Sequence, residues 1–220
     1  MVRKSNERSG SRAERKALDK RLAILRGAAR AFREKGVAAA GMREIAEAAD
    51  LSPANLYYYF ESRDELVYFC QDYSLDRMLE AVVRATEATG SPAEQLRAVI
   101  EAHLACILDE LDGAAAHLEV EGLPPLLRAR IVAKRDGYEA AIRRIVRAGV
   151  RGRAFVACDA TLVTRAILGA VNWTARWFRP DGSQTPAAVA AAFSDYLVRG
   201  LLHEAGASPA RRQRRGRRGR

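Results

Sequence analysis

The sequence predicts an all-α fold of about nine helices, with a three-helix helix-turn-helix head at the N-terminus and a larger helical body behind it. Three observations lead there. Apolar residues recur at three- and four-residue spacing through most of the chain. Helix start and stop signals fall between the periodic blocks. No segment alternates as a half-buried strand does, and 154–157 is the one short, weak strand candidate.

The first helix begins before Leu18 and runs to about Lys35, with Leu22, Leu25, Ala28, Ala29 and Phe32 forming one stripe. Gly36 ends it, since glycine accepts the left-handed conformation that closes helices. Met42 to Ala49 is a second block, with Met42, Ile45, Ala46 and Ala49 on one face. It is too short to be stable alone and must pack against its neighbours. Ser52 is a good N-cap and Pro53 suits the first helical position, so a third helix starts at Pro53. Leu56 and Phe60, four apart, face the core. Asn55 and Tyr59, also four apart, lie on a different face with Ser52.

From Arg63 onward the pattern stays helical. Asp64 to about Ala88 reads as one long helix linking head to body, ended at Thr89-Gly90. Ser91-Pro92-Ala93-Glu94 is a capping box that opens a helix through Leu108. A short helix is expected at 113–119, and Gly122-Leu123-Pro124-Pro125 is a break. Leu126 to Ala148 forms a long helix ended by Gly149 or Gly152. Asp159 caps another that reaches Trp177 or Phe178, and Thr185-Pro186 starts the last, which runs to about Glu204. The expected organisation is a basic disordered arm at 1–16, the head at 17–62, the body at 63–205 and an Arg-rich disordered tail at 206–220.

A short helix with this surface suits DNA. A recognition helix fits the major groove, and its first residues approach base edges. Asn55 can pair bidentately with adenine, and hydroxyls of Tyr57, Tyr58 and Tyr59 can donate to phosphate oxygens. Arg43 and Arg63 flank the helix. The segments AARAFREKG at 28–36, MREIAEAA at 42–49 and LSPANLYYYFESRDEL at 51–66 resemble the DNA-binding domain of the TetR family of bacterial transcriptional regulators. The resemblance implies that Arg43 and the helix formed by Ser52, Pro53, Ala54, Asn55, Tyr57, Tyr58 and Tyr59 touch DNA, and that Arg63 touches phosphate. Three departures stand out. Many relatives carry Thr or Ser where Ala40 and Gly41 stand, Tyr59 replaces a common His, and Glu61 replaces a frequent Lys.

The net charge of +10 is concentrated at the ends. Residues 211–220 hold seven arginines and no acid, and residues 1–20 hold seven basic against three acidic residues, which leaves 21–210 almost neutral. Such ends add salt-sensitive, sequence-independent attraction to phosphates. A rival reading is therefore a non-specific nucleic-acid-binding protein working through its tails. An enzyme is the other rival. Against it, the sequence has no HExxH, no Gly-rich phosphate loop after a strand and no nucleophile triad. Cys70, Cys106 and Cys158 show no metal or disulfide spacing and read as reduced thiols, and no metal or cofactor is expected. No apolar run is long enough to span a membrane, and the N-terminus lacks a signal-peptide core, so a cytoplasmic location is expected.

The last two helices carry small residues at close spacing: Ala166, Gly169 and Ala170, then Ala188, Ala191 and Ala192. The resemblance implies that they pair with a second subunit as a four-helix bundle, giving a homodimer. Asn172 to Pro180 holds both tryptophans, Trp173 and Trp177, beside Arg176 and Arg179. It resembles the end of the penultimate helix in TetR-like regulators of fatty-acid and steroid catabolism, several of which respond to acyl-CoA thioesters. His103, Cys106, His117 and Tyr138 are candidates to line a cavity between body helices. The expected effector site thus comprises His103, Tyr138, Asn172, Trp173, Arg176 and Trp177, for a small apolar or amphipathic ligand such as an acyl-CoA. The function expected is a ligand-responsive repressor of a palindromic operator in double-stranded DNA.

Overall fold

The structure is a computed structural model that describes residues 12–36, 39–108 and 120–203. These form eight helices: α1 (Arg12–Lys35), α2 (Met42–Ala48), α3 (Pro53–Tyr59), α4 (Arg63–Glu87), α5 (Pro92–Leu108), α6 (Pro125–Arg151), α7 (Ala160–Trp177) and α8 (Pro186–Arg199). The short helix expected at 113–119 lies outside the described residues, as do most of the two charged ends.

Local capping chemistry sets most of the boundaries. Gly36, at φ 81°, closes α1. The Ser52 side chain accepts a hydrogen bond from the Asn55 backbone N–H at 3.2 Å and starts α3. Ser91 and Glu94 form the reciprocal box at the start of α5: the Ser91 N–H donates to Glu94 Oε2 at 2.7 Å, and the Glu94 N–H donates to Ser91 Oγ at 3.3 Å. Those bonds, led by the Ser91 backbone N–H, hold the Glu94 carboxyl below the usual carboxylate range. Asp159 likewise caps α7 through the Thr161 and Leu162 N–H groups.

Two boundaries differ from expectation. Helix α1 starts at Arg12, so the last residues of the expected disordered arm are helical. Ala13, Glu14, Arg15 and Lys16 are all good helix formers, and the acid in the first turn suits the helix dipole. Helix α8 stops at Arg199, before the expected Glu204, with Gly200 as its C-cap. Beyond it the Leu201 carbonyl accepts from the Val156 N–H at 2.8 Å, and Phe155 and Leu202 form one isolated bridge. The weak strand candidate thus becomes a single rung, because its partner is the short turn just after α8 and not a strand. Phe155 is fully buried, with its ring against Gly149 of α6.

The body is organised around α5, which packs against α4, α6, α7 and α8. That explains why α5 buries Leu96, Val99, Ile100, His103, Leu104 and Cys106 to Leu108 and leaves only a narrow stripe, Ala98, Glu101 and Ala105, exposed. In the head, α1 packs on α2 and α2 on α3. A continuous apolar core runs from Ile24, Phe32, Ile45 and Leu56 through Leu66 and Cys70 into the body at Leu104, Ile142 and Ile167. No helix among the described residues is long and apolar enough to cross a membrane.

Two glycines in helices have opposite surroundings. A Cβ on Gly27 of α1 would sit 2.6–2.8 Å from Cβ, Cα and N of Ala49, so the helix and the backbone just after α2 touch there. A Cβ on Gly137 of α6 would meet nothing within 4 Å. Gly27→Ala is therefore expected to destabilise by about 1–3 kcal/mol, overpacking outweighing the gain in helix propensity. Gly137→Ala is expected to stabilise by about 0.5–1 kcal/mol. Denaturant unfolding of both variants checks the pair, and a shared sign would contradict it.

Candidate functional site

Two regions collect the residues singled out from the sequence. The first is the outer surface of α2 and α3. Leu56 and Phe60 are buried beneath it, which anchors α3 by its inner side. Asn55, Tyr57 and Tyr58 then point outward, Tyr57 at 52% and Tyr58 at 83% exposure. Ser52, Pro53 and Ala54 are exposed at the N-terminal end of α3, and Arg43 is exposed on α2. Tyr59 differs from Asn55, although helical spacing puts the two on one face. It is half-buried, packs against the head core and meets the Tyr58 ring edge-on at 5.0 Å. Its role is partly to support Tyr58.

Arg63 is also set more deeply than a surface cation. Its Nε donates to the Ala40 carbonyl at 3.1 Å, tying the first turn of α4 to the residue before the α2 cap. That cap is Gly41, which has no side-chain oxygen to offer. Glu44 supplies the compensating half of a box by accepting the Gly41 N–H at 3.2 Å. Hydrogen bonding to its own backbone N–H, with Lys35 close by, holds the Glu44 carboxyl below the usual range. The turn between α2 and α3 places Asp50 at φ 58°, a left-handed conformation that Asp tolerates better than most residues.

Sequence reasoning missed Arg21. Its guanidinium lies 4.4 Å from the ring centroids of both Phe60 and Phe69, and its Nη2 donates to Glu65 Oε1 at 3.1 Å. Glu65 Oε2 accepts the Glu61 N–H at 2.7 Å. This cluster fixes the junction of α3 and α4 against α1 by cation–π contact and a charge-assisted bond. Nothing in a linear reading pairs Arg21 with residues some forty positions away. Arg30 adds a second tie, donating to the Ala48 carbonyl at the end of α2.

The second region is a cavity of about 450 Å³ between α4, α5, α6 and α7. Leu75, Met78, Ile107, Leu168 and Ala175 supply its apolar lining, and Arg135, Asp136, Glu139 and Arg165 supply charge. His103, Tyr138 and Asn172 meet there. His103 Nδ1 lies 3.0 Å from the Tyr138 hydroxyl, and Nε2 lies 3.1 Å from Asn172 Oδ1. Burial pushes the His103 imidazole down to about 4, against a smaller opposing effect of Asn172. Burial also pushes the Tyr138 phenol up, with the Cys106 thiol adding to it. Cys106 is buried beside this cluster and is not part of the cavity wall, and His117 lies outside the described residues.

Trp173, Arg176 and Trp177 are not in the cavity. Trp173 follows Asn172 by one residue, which turns it about 100° around α7. It is 63% exposed, and Trp177 and Arg176 are exposed as well. The Trp177 ring lies 6.0 Å from Phe193 of α8. Leu162, Ala166, Gly169, Trp173 and Trp177 form an exposed stripe along α7, and Ala188, Ala191, Ala192 and Tyr196 are exposed on α8. Among the described residues, no group of three or more His, Cys, Asp and Glu side chains could hold a metal ion.

Helix α4 joins the two regions. Leu75 and Met78 line the cavity, while its first turn holds Arg63 and Glu65 at the head. Lys134 of α6 reaches Asp72 at 2.5 Å and Asp76 at 2.7 Å, and Arg135 donates to the buried Gln71 Oε1 at 3.1 Å. Those carboxylates hold the Lys134 ammonium above its ordinary value, against the opposing effect of desolvation, which is the largest single influence on it.

The neutral His103 has a pH consequence. Its folded value lies below the unfolded 6.5, so the unfolded chain takes up a proton first as pH falls. Its effect is absent above about 6.5, and stability is lost progressively down to about 4. The loss is on the order of 3 kcal/mol. Unfolding free energies of the parent and His103→Gln across this range check it, and parallel curves would contradict it.

Comparison with known proteins follows the same division. Residues 24–68 match the family described as bacterial regulatory proteins, tetR family. Residues 89–201 match the one described as tetracyclin repressor-like, C-terminal domain. The HTH-type transcriptional repressor KstR2 of Rhodococcus jostii (strain RHA1) is 26% identical over 191 residues, covering 83% of this chain and 91% of that protein. The solved structure of the TetR family transcriptional regulator PfmR from Thermus thermophilus is similar with a TM-score of 0.72 at 36% identity, covering 82% of this chain and 99% of that chain. AibR, solved in complex with isovaleryl coenzyme A and operator DNA, gives a TM-score of 0.70 at 25% identity, covering 83% of this chain and 100% of that chain. With both parts of the chain matched, it belongs to the TetR family of bacterial transcriptional regulators.

Proposed function

We propose that this regulator is a homodimeric repressor that binds a palindromic operator and leaves it when a small apolar or amphipathic effector enters the body. In this reading residues 17–62 read DNA, and residues 63–205 hold the effector and the partner subunit. The observation that carries it is α3 itself. It is capped by Ser52 and anchored by Leu56 and Phe60, and it turns Asn55, Tyr57 and Tyr58 to solvent. Seven residues read only a few base pairs, and a two-fold pair doubles the site. The exposed stripe on α7, with Gly169 open and Trp173 uncovered, suits a partner copy because small residues let helices approach closely. On this reading the tryptophans belong to the subunit contact and not to the effector site.

The effector acts through α4. A ligand can shift the two states only by its differential affinity for them. Widening the cavity would move Leu75 and Met78, and α4 carries that displacement to Arg63 and Glu65 beside α3. Acyl-CoA thioesters are the effector class we favour, because the AibR structure was solved with isovaleryl coenzyme A. A cavity of about 450 Å³ suits the acyl end, with the nucleotide outside. The repressor sign follows KstR2, an HTH-type transcriptional repressor.

Selection of bound sequences from random duplex DNA at physiological salt tests the reading, with a palindrome as the expected result. Asn55→Ala and Tyr57→Ala are each expected to cost about 1–3 kcal/mol in binding to the selected site. Removing residues 211–220 is expected to leave specific binding largely intact. Loss of all binding on that deletion, with no sequence preference in the parent, would favour the tail-driven alternative.

A further inference from the structure

The polar chain across the cavity says what kind of ligand atom it meets. His103 on α5, Tyr138 on α6 and Asn172 on α7 come from three different helices, and all three contribute to the cavity wall. Neutral imidazole has one N–H and one lone pair, so a chain running through it has a direction. The Asn172 carbonyl oxygen lies 3.1 Å from Nε2, which makes Nε2 the donor. Nδ1 is then the acceptor, and the Tyr138 hydroxyl donates to it at 3.0 Å. Each end of the chain keeps unused capacity. Asn172 still has its NH2 group, and the Tyr138 oxygen still has lone pairs.

The surrounding charges cancel. Two arginines and two acids line the cavity, and Glu139 is already held by Arg143 at 3.0 Å and by Arg165 at 3.7 Å. Arg135 is engaged with Gln71. The rest of the wall is aliphatic, from Leu75, Met78, Ile107 and Leu168. A bare carboxylate placed beside the polar chain would lose its hydration and meet a neutral imidazole, a phenol oxygen and an amide. A plain hydrocarbon would leave the Asn172 NH2 and the Tyr138 oxygen without partners.

We infer that the cavity selects an uncharged ligand portion with an apolar body and a carbonyl or hydroxyl oxygen, read by the Asn172 amide and the Tyr138 hydroxyl at the two ends of the chain centred on His103. A carbonyl accepts from the Asn172 NH2. A hydroxyl can in addition donate to the Tyr138 oxygen. A thioester carbonyl falls in the same class. The inference rests on the proposed use of this cavity as the effector site and narrows the chemistry of what enters it.

The test is a matched series of octanol, methyl hexyl ketone, octane and octanoate, titrated into the full-length protein without DNA and followed by protein-detected NMR. Octanol and the ketone are expected to bind about tenfold more tightly than octane or octanoate, the effect of one neutral hydrogen bond. Asn172→Leu is expected to remove the preference for the ketone over octane, and Tyr138→Phe to reduce that for octanol. The two variants are independent, so a folding failure in one leaves the other to decide. Equal binding of octane and the ketone, tighter binding of octanoate, an unchanged preference in Asn172→Leu, or no binding by any of the four would overturn the inference. Adding operator DNA separates the two readings. The expected preference without DNA release would count against effector control and leave the ligand chemistry standing. Release without the preference would do the reverse.

Discussion

A seven-residue helix has no stability of its own, and the proposed DNA binding depends on how α3 is held. Its start is fixed by the Ser52 cap and Pro53, its inner side by Leu56, and its end by Phe60 beneath the Arg21 guanidinium. Arg21 does three things at once. It lies over Phe60 and Phe69, pairs with Glu65, and belongs to α1. The C-terminal end of α3 is thereby attached to α1 and α4. With its inner side committed to the core, α3 has only one face left for solvent, and that face carries Asn55, Tyr57 and Tyr58.

In the proposed mechanism the same junction is what makes the head respond to the body. Arg63 and Glu65 sit in the first turn of α4, and the same helix presents Leu75 and Met78 to the cavity three to four turns later. Between them, Lys134 and Arg135 hold α4 to α6 through Asp72, Asp76 and Gln71. Under the proposed function, a stiff helix tied at one end to α3 and lining a cavity at the other would transmit small displacements, because packed contacts repack in steps and do not deform smoothly. The polar chain through His103 joins α5, α6 and α7 across that cavity, so a ligand that engages it acts on the wall facing α4.

Much of the fold was legible because its signals are local. Ser52-Pro53, Ser91 to Glu94, Asp159 and Gly36 set helix ends through bonds spanning a few residues, and each does so in the structure. The start of α1 was hidden by charge: its first turns offer no apolar stripe to read, only good helix formers. The end of α8 was hidden because Leu201 and Leu202 continue an apolar pattern yet turn to meet Val156 and Phe155. Helical spacing put Ser52 and Asn55 outward, as the structure does, whereas the half-burial of Tyr59 depends on packing that spacing alone does not reveal. In the body, His103, Tyr138 and Asn172 stood out as single residues, but their union spans 35 and 69 positions and exists only in three dimensions. Trp173 and Trp177 are separated from Asn172 by a rotation around α7, and Arg176, one helical turn beyond Asn172, is exposed outside the cavity wall.

The most direct measurement is photocross-linking from the outward edge of α3. Benzoylphenylalanine placed at Tyr58, and separately at the exposed Leu126 of the body as a control, is irradiated with the selected operator duplex. The account predicts cross-links from position 58 to both half-sites, and none from position 126. Silence at position 58 under conditions where the operator is bound, or equal yield from the two positions, would contradict it.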